Sequence, residues 1–223
     1  MPLTIAIDGP VGAGKSTISD EVARRLGILH LDTGAMYRAL GLCAIENGID
    51  LNDEAAVSAL CASEQAQVSV RYENGTQKTL LNGRDVSGLI RTQEVGQAAS
   101  TVSKYREVRR IMVERQQALA KEQPMLLDGR DIGTVVLPNA TVKVYMTAAP
   151  EVRAKRRMLQ LREKGDETPF EEILKEVNAR DDQDMHREVT PLRRADDAVL
   201  VDSSDLTFEE TVQAILSLVE AKQ

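Results

Sequence analysis

The chain has 223 residues, a length that suits one α/β domain with an insertion. A chain of that length buries roughly 70% or more of its unfolded surface on folding, so it needs neither disulfides nor structural metals. Its formal net charge is −7, from 28 basic and 35 acidic side chains, which argues against a broad basic surface for nucleic acid but leaves room for local basic pockets.

Cys43 and Cys61 are the only cysteines, too few for a zinc set or a disulfide framework, and they read as buried or free thiols of a reducing cytosol. No apolar run approaches the roughly 18 residues of a membrane span. The N-terminus enters a strand at once, without a charged leader or a cleavage site. The expectation is a cytoplasmic protein with neither a membrane nor a nucleic acid as partner.

Leu3–Asp8 is a short apolar run that reads as a buried strand. Gly9, Pro10, Val11, Gly12, Ala13, Gly14, Lys15, Ser16 and Thr17 follow and fit G-x-x-x-x-G-K-[ST]. Ile18, Val22, Ala23 and Leu26 then recur at helical spacing, and Gly27 supplies the stop. Strand, glycine loop and helix thus stand in the order a P-loop requires. Glycines let the backbone come close to phosphates, whose charge the loop amides and the helix N-terminus face. Lys15 can reach the terminal phosphates and the Ser16 hydroxyl can sit on Mg²⁺. A glycine turn before an ordinary helix would explain the glycines but not the Lys-Ser-Thr continuation.

Ile28–Leu31 reads as a second strand, with His30 a packed residue of it. Ligands of open α/β sheets bind at the carboxyl ends of strands, so Asp32, Thr33, Tyr37 and Arg38 lie where a second ligand would sit. A helix over Ala35–Glu46 stops at Asn47-Gly48, and another starts at Asp53 and ends near Ala62. The period then changes. Val68–Tyr72 alternates, Asn74-Gly75 is a hairpin signal, Thr79–Leu81 returns, and Asn82-Gly83 turns again before Asp85-Val86. Residues 63–88 therefore predict a small antiparallel meander inserted in a βα chain, too short to build its own core.

Helical periodicity returns over Ile90–Ser100 and again over Val102–Lys121. Met125–Asp128 is a buried strand ending in an acid, a place from which P-loop proteins help to hold the Mg²⁺ shell; a turn or cap is the plainer reading of Asp128. Thr141–Met146 is another buried strand. In the helix Glu151–Lys164, Arg153, Arg156 and Arg157 share a face, and in Phe170–Arg187 so do Arg180, Asp184 and Arg187. Such stripes can be solvated faces with internal ion pairs, or they can serve the triphosphate. Ala198–Asp202 is the last strand, Phe208–Glu220 closes the chain as an amphipathic helix, and His186 has no metal-ligand partner at workable spacing. The order gives an α/β fold of the P-loop NTPase kind: a mostly parallel sheet flanked by helices, a small antiparallel β insertion and a helical lid.

No Asn is followed by Lys, so the guanine-reading Asn-Lys-x-Asp of a switch GTPase is missing. An arginine-rich P-loop protein of this size suits phosphoryl transfer to a small acceptor, because acceptor phosphate and γ-phosphoryl repel and must be neutralised without admitting water. The chain resembles the bacterial-type cytidylate kinases over nearly its full length. The residues that carry the resemblance are Ile7-Asp8-Gly9-Pro10 with the P-loop, Leu31–Arg38, Asp85-Val86-Ser87 with Ile90–Val95, Asp128–Thr134, Arg156-Arg157, and Arg180-Asp181-Asp182 with Asp184 and Arg187.

The resemblance implies transfer of the γ-phosphoryl of ATP, with Mg²⁺, to CMP or dCMP. It implies a core (1–62 and 101–223) with a lid at about 150–188, and a monophosphate-binding insertion at 63–100. Asp32, Thr33, Tyr37 and Arg38 would line the CMP site, Arg109 and Arg130 would hold the phosphate, and Ser100 and Asp131 would lie near the base. Arg180, Asp184 and Arg187 would contact base, sugar and phosphates, while Arg156 and Arg157 would close over ATP. Lys15, Arg130, Arg157 and Arg187 would act in catalysis, with Ser16 and Asp128 on the metal, in a monomer. Thr33 stands where Ser is expected in many members, which retains the hydroxyl. Two rivals are a related kinase with another acceptor, and a nucleotide-dependent interaction protein that would turn over ATP without any acceptor.

Overall fold

The computed structural model describes residues 2–163 and 165–222. In chain order the elements are β1 (Thr4–Asp8), α1 (Lys15–Leu26), β2 (Leu29–Asp32), α2 (Thr33–Glu46), α3 (Glu54–Ala62), β3 (Val68–Glu73), β4 (Thr76–Leu81) and β5 (Arg84–Asp85). They continue with α4 (Gln93–Val102), α5 (Arg106–Glu122), β6 (Met125–Gly129), β7 (Val142–Thr147), α6 (Pro150–Arg162), α7 (Phe170–His186), β8 (Val199–Asp202) and α8 (Phe208–Glu220). Lys164, the expected end of the sixth helix, and residues 1 and 223 lie outside the described residues.

The expected fold class holds. The main sheet is a parallel one of five strands in the order β2-β6-β1-β7-β8, and β3-β4-β5 form a separate antiparallel sheet. In the main sheet β1 pairs with β7, Ile5 opposite Val142 and Asp8 opposite Tyr145, and β7 pairs with β8. Two compact units form: a middle unit, Ile28–Met125, and a P-loop unit, made of Leu3–Gly27 and the chain from Leu126 onward.

In the P-loop unit the core lies on β1, β6 and β7, where Ile5, Ala6, Ile7, Leu126 and Leu127 are fully buried and Val144 and Met146 nearly so. Runs of apolar residues without polar alternation give strands buried on both faces. The closing helix α8 begins where the sequence predicts and is fixed by a capping box between Thr207 and Glu210. Helices α6 and α7 share a small core of Ala154, Ile173 and Val177, with Met158, Leu161, Phe170 and Leu174 packed against it.

In the middle unit, α2 and α4 cross closely at Gly41, where an added Cβ would come within 2.9 Å of the Ala98 Cβ. The meander is present: β3 and β4 pair with Glu73 opposite Thr76, and β4 turns into β5 with Leu81 opposite Arg84. Both turns fall on the Asn-Gly pairs, whose residues have positive φ. The helix expected over Ile90–Ser100 is broken. Leu89–Arg91 form a 3-10 turn, and Thr92 leaves helical geometry to cap α4 by accepting from the Val95 amide. The next helix starts at Arg106 rather than Val102, after a turn at Ser103 and Lys104.

Candidate active site

The P-loop runs from the end of β1 to the start of α1. Gly9 leaves no room for a side chain, since a Cβ there would lie 1.9 Å from the Met146 carbonyl oxygen of β7. Lys15, 6% exposed, donates through Nζ to the Pro10 carbonyl at 2.8 Å. Two arginines of α6 hold the loop from outside. Arg153 donates to the Val11 carbonyl at 3.0 Å, and Arg156 to the Ala13 carbonyl at 3.3 Å and the Ser203 carbonyl at 2.7 Å. Across a trans peptide the following amide points away from the carbonyl, so Gly12 and Gly14 aim their N–H groups opposite to those arginines. Amides so turned are what an anion requires.

The Ser16 hydroxyl donates to Asp128 Oδ2 at 2.9 Å, which joins the first turn of α1 to the end of β6. A hydroxyl beside a carboxylate is a hard oxygen donor pair and fits Mg²⁺. No group of three or more His, Cys, Asp and Glu able to hold a metal occurs among the described residues.

Around Lys15 stand charges from three segments, the ends of β1 and β6 and helix α7. Burial, and then the Arg130 guanidinium, push the Lys15 pKa down to about 7, against the pull of Asp128, Asp184 and Asp8. Arg130 Nε donates to Asp184 Oδ2 at 2.8 Å, and Arg180 approaches the same oxygen at 3.7 Å. Burial opposes ionisation of Asp184, but Arg130, Arg180 and Arg187 outweigh it and hold its carboxyl below the usual range. Arg187 donates through Nε to the Thr190 carbonyl at 2.7 Å. Asp131 is 4% exposed at the start of the π-helical turn Ile132–Val136. Arg157 is half-buried on α6 and its field reaches Asp166.

The P-loop unit therefore brings Lys15, Ser16, Asp128, Arg130, Arg180, Asp184 and Arg187 into one network, with Arg156 on the loop itself. Two residues absent from the predicted set complete it. Arg153 is 3% exposed and pairs with Asp181 through both Nη1 and Nη2. Asp8 is 4% exposed and accepts from the Ile132 and Gly133 amides, each at 2.7 Å. Arg153 stands in the arginine stripe, but spacing alone does not tell which arginine of a stripe meets a buried acid.

The middle unit gathers another set. Asp32 caps α2 by accepting from the Ala35 amide at 3.0 Å and lies 3.6 Å from Arg91. Gln77 of β4 brackets its backbone, accepting from the Asp32 amide at 2.8 Å and donating to its carbonyl at 3.4 Å. Thr33, the first residue of α2, is 4% exposed. Arg38 donates to the Ile90 carbonyl at 3.1 Å, and its guanidinium lies against Gly96, where a Cβ would come within 3.0 Å. Arg109, 3% exposed, sits 5.5 Å over the Tyr37 ring and donates to the Ser103 carbonyl at 3.0 Å. Ser100 is 6% exposed on α4. His30 is buried in β2 and the His186 side chain is exposed, as expected of both. Gln77 is a third residue outside the predicted set. A Gln in an alternating strand carries no signal of what its amide will meet.

Comparison with known proteins points to one family. Residues 5–221 match the family model described as cytidylate kinase. A cytidylate kinase of Caldicellulosiruptor bescii is 49% identical, covering 97% of this chain and 95% of its own. One of Bacillus licheniformis is 46% identical over 99% and 97%. A crystal structure of shikimate kinase from Bacteroides thetaiotaomicron aligns over 98% of both chains with a TM-score of 0.50 at 12% identity, a likeness of fold alone. With a family match over nearly all its length and relatives this similar, the chain belongs to the cytidylate kinase family.

Proposed function

We propose that Lys15, Arg130, Arg157 and Arg187 carry phosphoryl transfer in this protein. The reaction is that of a cytidylate kinase: the γ-phosphoryl of ATP passes to CMP or dCMP, giving CDP or dCDP and ADP. The observation that supports Lys15 and Arg130 most is the convergence of Lys15, the Ser16–Asp128 pair and the Arg130–Asp184 pair beside the P-loop amides; Arg157 and Arg187 are assigned from the family resemblance. Residues Gly9–Thr17 would wrap the ATP phosphates, with Arg156 and Arg157 at their outer side. Arg130, Asp131, Arg180, Asp184 and Arg187 of the P-loop unit are assigned to the acceptor, as are Asp32, Thr33, Tyr37, Arg38, Ser100 and Arg109 of the middle unit. The helices at about 150–188 are assigned to a lid and residues 63–100 to monophosphate binding.

The acceptor phosphate is already a charged nucleophile, so no covalent intermediate or strong base is required. Catalysis is alignment plus neutralisation of charge. Lys15 is set to lie along the β,γ-oxygens, where a triphosphate favours its charged form. Arg130 is oriented by Asp184 and is directed at the acceptor phosphate, and Arg187 is steadied by the Thr190 carbonyl. Ser16 and Asp128 would hold Mg²⁺, which would supply neutralisation of phosphate charge. We assign the protein to the cytoplasm and to a monomeric state, with neither nucleic acid nor membrane as partner; no described helix is long and apolar enough to cross a membrane.

The test is ADP formation with Mg-ATP against CMP, dCMP, UMP, AMP, GMP and dTMP. Turnover confined to CMP and dCMP is expected. Turnover with another acceptor would keep the P-loop chemistry and discard the acceptor residues, and turnover without any acceptor would discard the kinase reading.

A further inference from the structure

Asp8 is a buried carboxylate that the mechanism above does not use. It is the last residue of β1, immediately before the P-loop, and its neighbour Gly9 is packed against the backbone of Met146. Its two oxygens take the amides of Ile132 and Gly133, one each, at 2.7 Å. Those are the first two amides of the π-helical turn Ile132–Val136. The residue at the N-cap of that turn is Asp131, and its side chain makes no capping bond. Asp8 caps the turn in its place, so the Asp131 carboxylate is not used for that purpose.

Burial of an acid here works against its ionised form. The Asp8 pKa is pushed up to about 6 by burial, in spite of the two amides, with Asp131 raising it further and Lys15 pulling it down. Arg130 and Tyr145 also lie within its field. A carboxylate that is costly to bury and joins two loops has a positional use rather than a packing one.

We propose that Asp8 is a positioning residue that ties the P-loop to the turn carrying Arg130 and Asp131, so that donor-phosphate and acceptor-phosphate groups are set by one carboxylate. The inference rests on the assignment of Arg130 and Asp131 to the acceptor. Asp8 touches neither substrate; it acts through the backbone two residues beyond Arg130.

The experiment uses the full chain with Asp8→Asn, which is nearly isosteric and cannot accept from both amides with separate oxygens. Expected is a fall in kcat/KM for CMP of about 10–100-fold with the Kd for ATP changed by less than about threefold, since misplacing a reacting group costs rate without costing donor binding. In an Arg130→Met background the same change should cost no more than about twofold, because residues acting as a unit are not additive. Gly133→Ala gives a second route should Asp8→Asn fold poorly: its Cβ would stand 3.3 Å from Asp8 Oδ2 and displace the carboxylate without removing it. The same split between CMP and ATP is expected of it. Wild-type kcat/KM for CMP in folded Asp8→Asn, or full additivity with Arg130→Met, would overturn the proposal. A wild-type enzyme that ignores CMP would reject the acceptor assignment instead. The tie itself is then read by amide hydrogen exchange at Ile132 and Gly133, which accelerates in Asp8→Asn if the tie is real and is unchanged if it is not.

Discussion

The two compact units hold their candidate site residues by different means. In the P-loop unit the most buried cations are held by charges: Arg153 by Asp181, Arg130 by Asp184, and Lys15 among Arg130, Asp128, Asp184 and Asp8. In the middle unit neutral partners carry more of the hold, although Asp32 also lies 3.6 Å from Arg91. Arg38 and Arg109 donate to the backbone carbonyls of Ile90 and Ser103, Arg109 also lies over Tyr37, and Asp32 is bracketed by the Gln77 amide. A buried charge that loses its counter-charge is left at a cost of several kcal/mol, whereas a lost neutral hydrogen bond costs about one. The first unit should therefore break sharply under single substitutions, and the second should loosen.

The largest effect is expected at the Arg153–Asp181 pair. Asp181→Ala leaves a guanidinium that is 3% exposed without its carboxylate, and urea unfolding should show a loss of about 3–5 kcal/mol. The double variant Arg153→Met, Asp181→Leu should recover most of that stability, because apolar replacement of a buried pair is often neutral. It should not recover turnover, since nothing then holds the Val11 carbonyl. Recovery of both would mean that the pair serves packing alone.

Next is Lys15→Ala. Loss of a cation aimed at developing charge should lower kcat by about 10²–10³, while the KM for CMP changes little. Unchanged turnover with ATP would remove Lys15 from the catalytic set. The effect differs in kind from that at Asp181, because it falls on rate rather than on stability.

Asp8 supplies a pH signature. Its native pKa of about 6 exceeds the ordinary 3.8, so between those values the native state binds more protons than the unfolded chain. Stability from this group is therefore highest below about pH 4 and declines as pH rises through 6, by up to roughly 2–3 kcal/mol. Glu21, half-buried, and Glu209, exposed, are both held near 2 by bonds to arginines and give the opposite slope below about 4.5. Subtracting the unfolding curve of Asp8→Asn from that of the wild type between pH 4 and 7 isolates the Asp8 contribution. A flat difference would contradict a native Asp8 pKa raised above its unfolded value.

The same contrast explains what is legible in the sequence. The P-loop, its strand and its helix follow from contiguous residues, and so do the two Asn-Gly turns and the closing helix Phe208–Glu220. Each is fixed by local chemistry: phosphate-facing amides, positive φ, or a capped amphipathic repeat. Arg153, Asp8 and Gln77 are not legible as site residues, because their partners lie 28, 124 and 45 residues away and an Arg in a basic helix or a Gln in a strand is unremarkable by itself. The break at Thr92 hides for a related reason. Thr is tolerated within a helical pattern, and only its side chain's bond to the Val95 amide reveals a cap.

The smallest effect, and the sharpest check on the contrast, is expected at Gln77. Its amide brackets the backbone of Asp32 from both sides, at 2.8 and 3.4 Å, and Asp32 in turn caps α2 just before Thr33, Tyr37 and Arg38. Gln77→Ala removes three neutral hydrogen bonds from a half-buried position, two to the Asp32 backbone and one to Thr79 Oγ1, so stability should fall by about 1–2 kcal/mol. If the meander serves to hold that turn for the acceptor, the loss should raise the KM for CMP several-fold with kcat nearly unchanged, because binding is weakened equally in ground and transition states. Gln77→Glu sharpens the reading: a carboxylate can still accept from the Asp32 amide but cannot donate to its carbonyl, and it places like charge beside Asp32. It should therefore be worse than Ala for CMP and indifferent for ATP. Equal effects on both substrates would show that the hairpin braces the fold at large, and the middle unit would then have no acceptor-side support of its own.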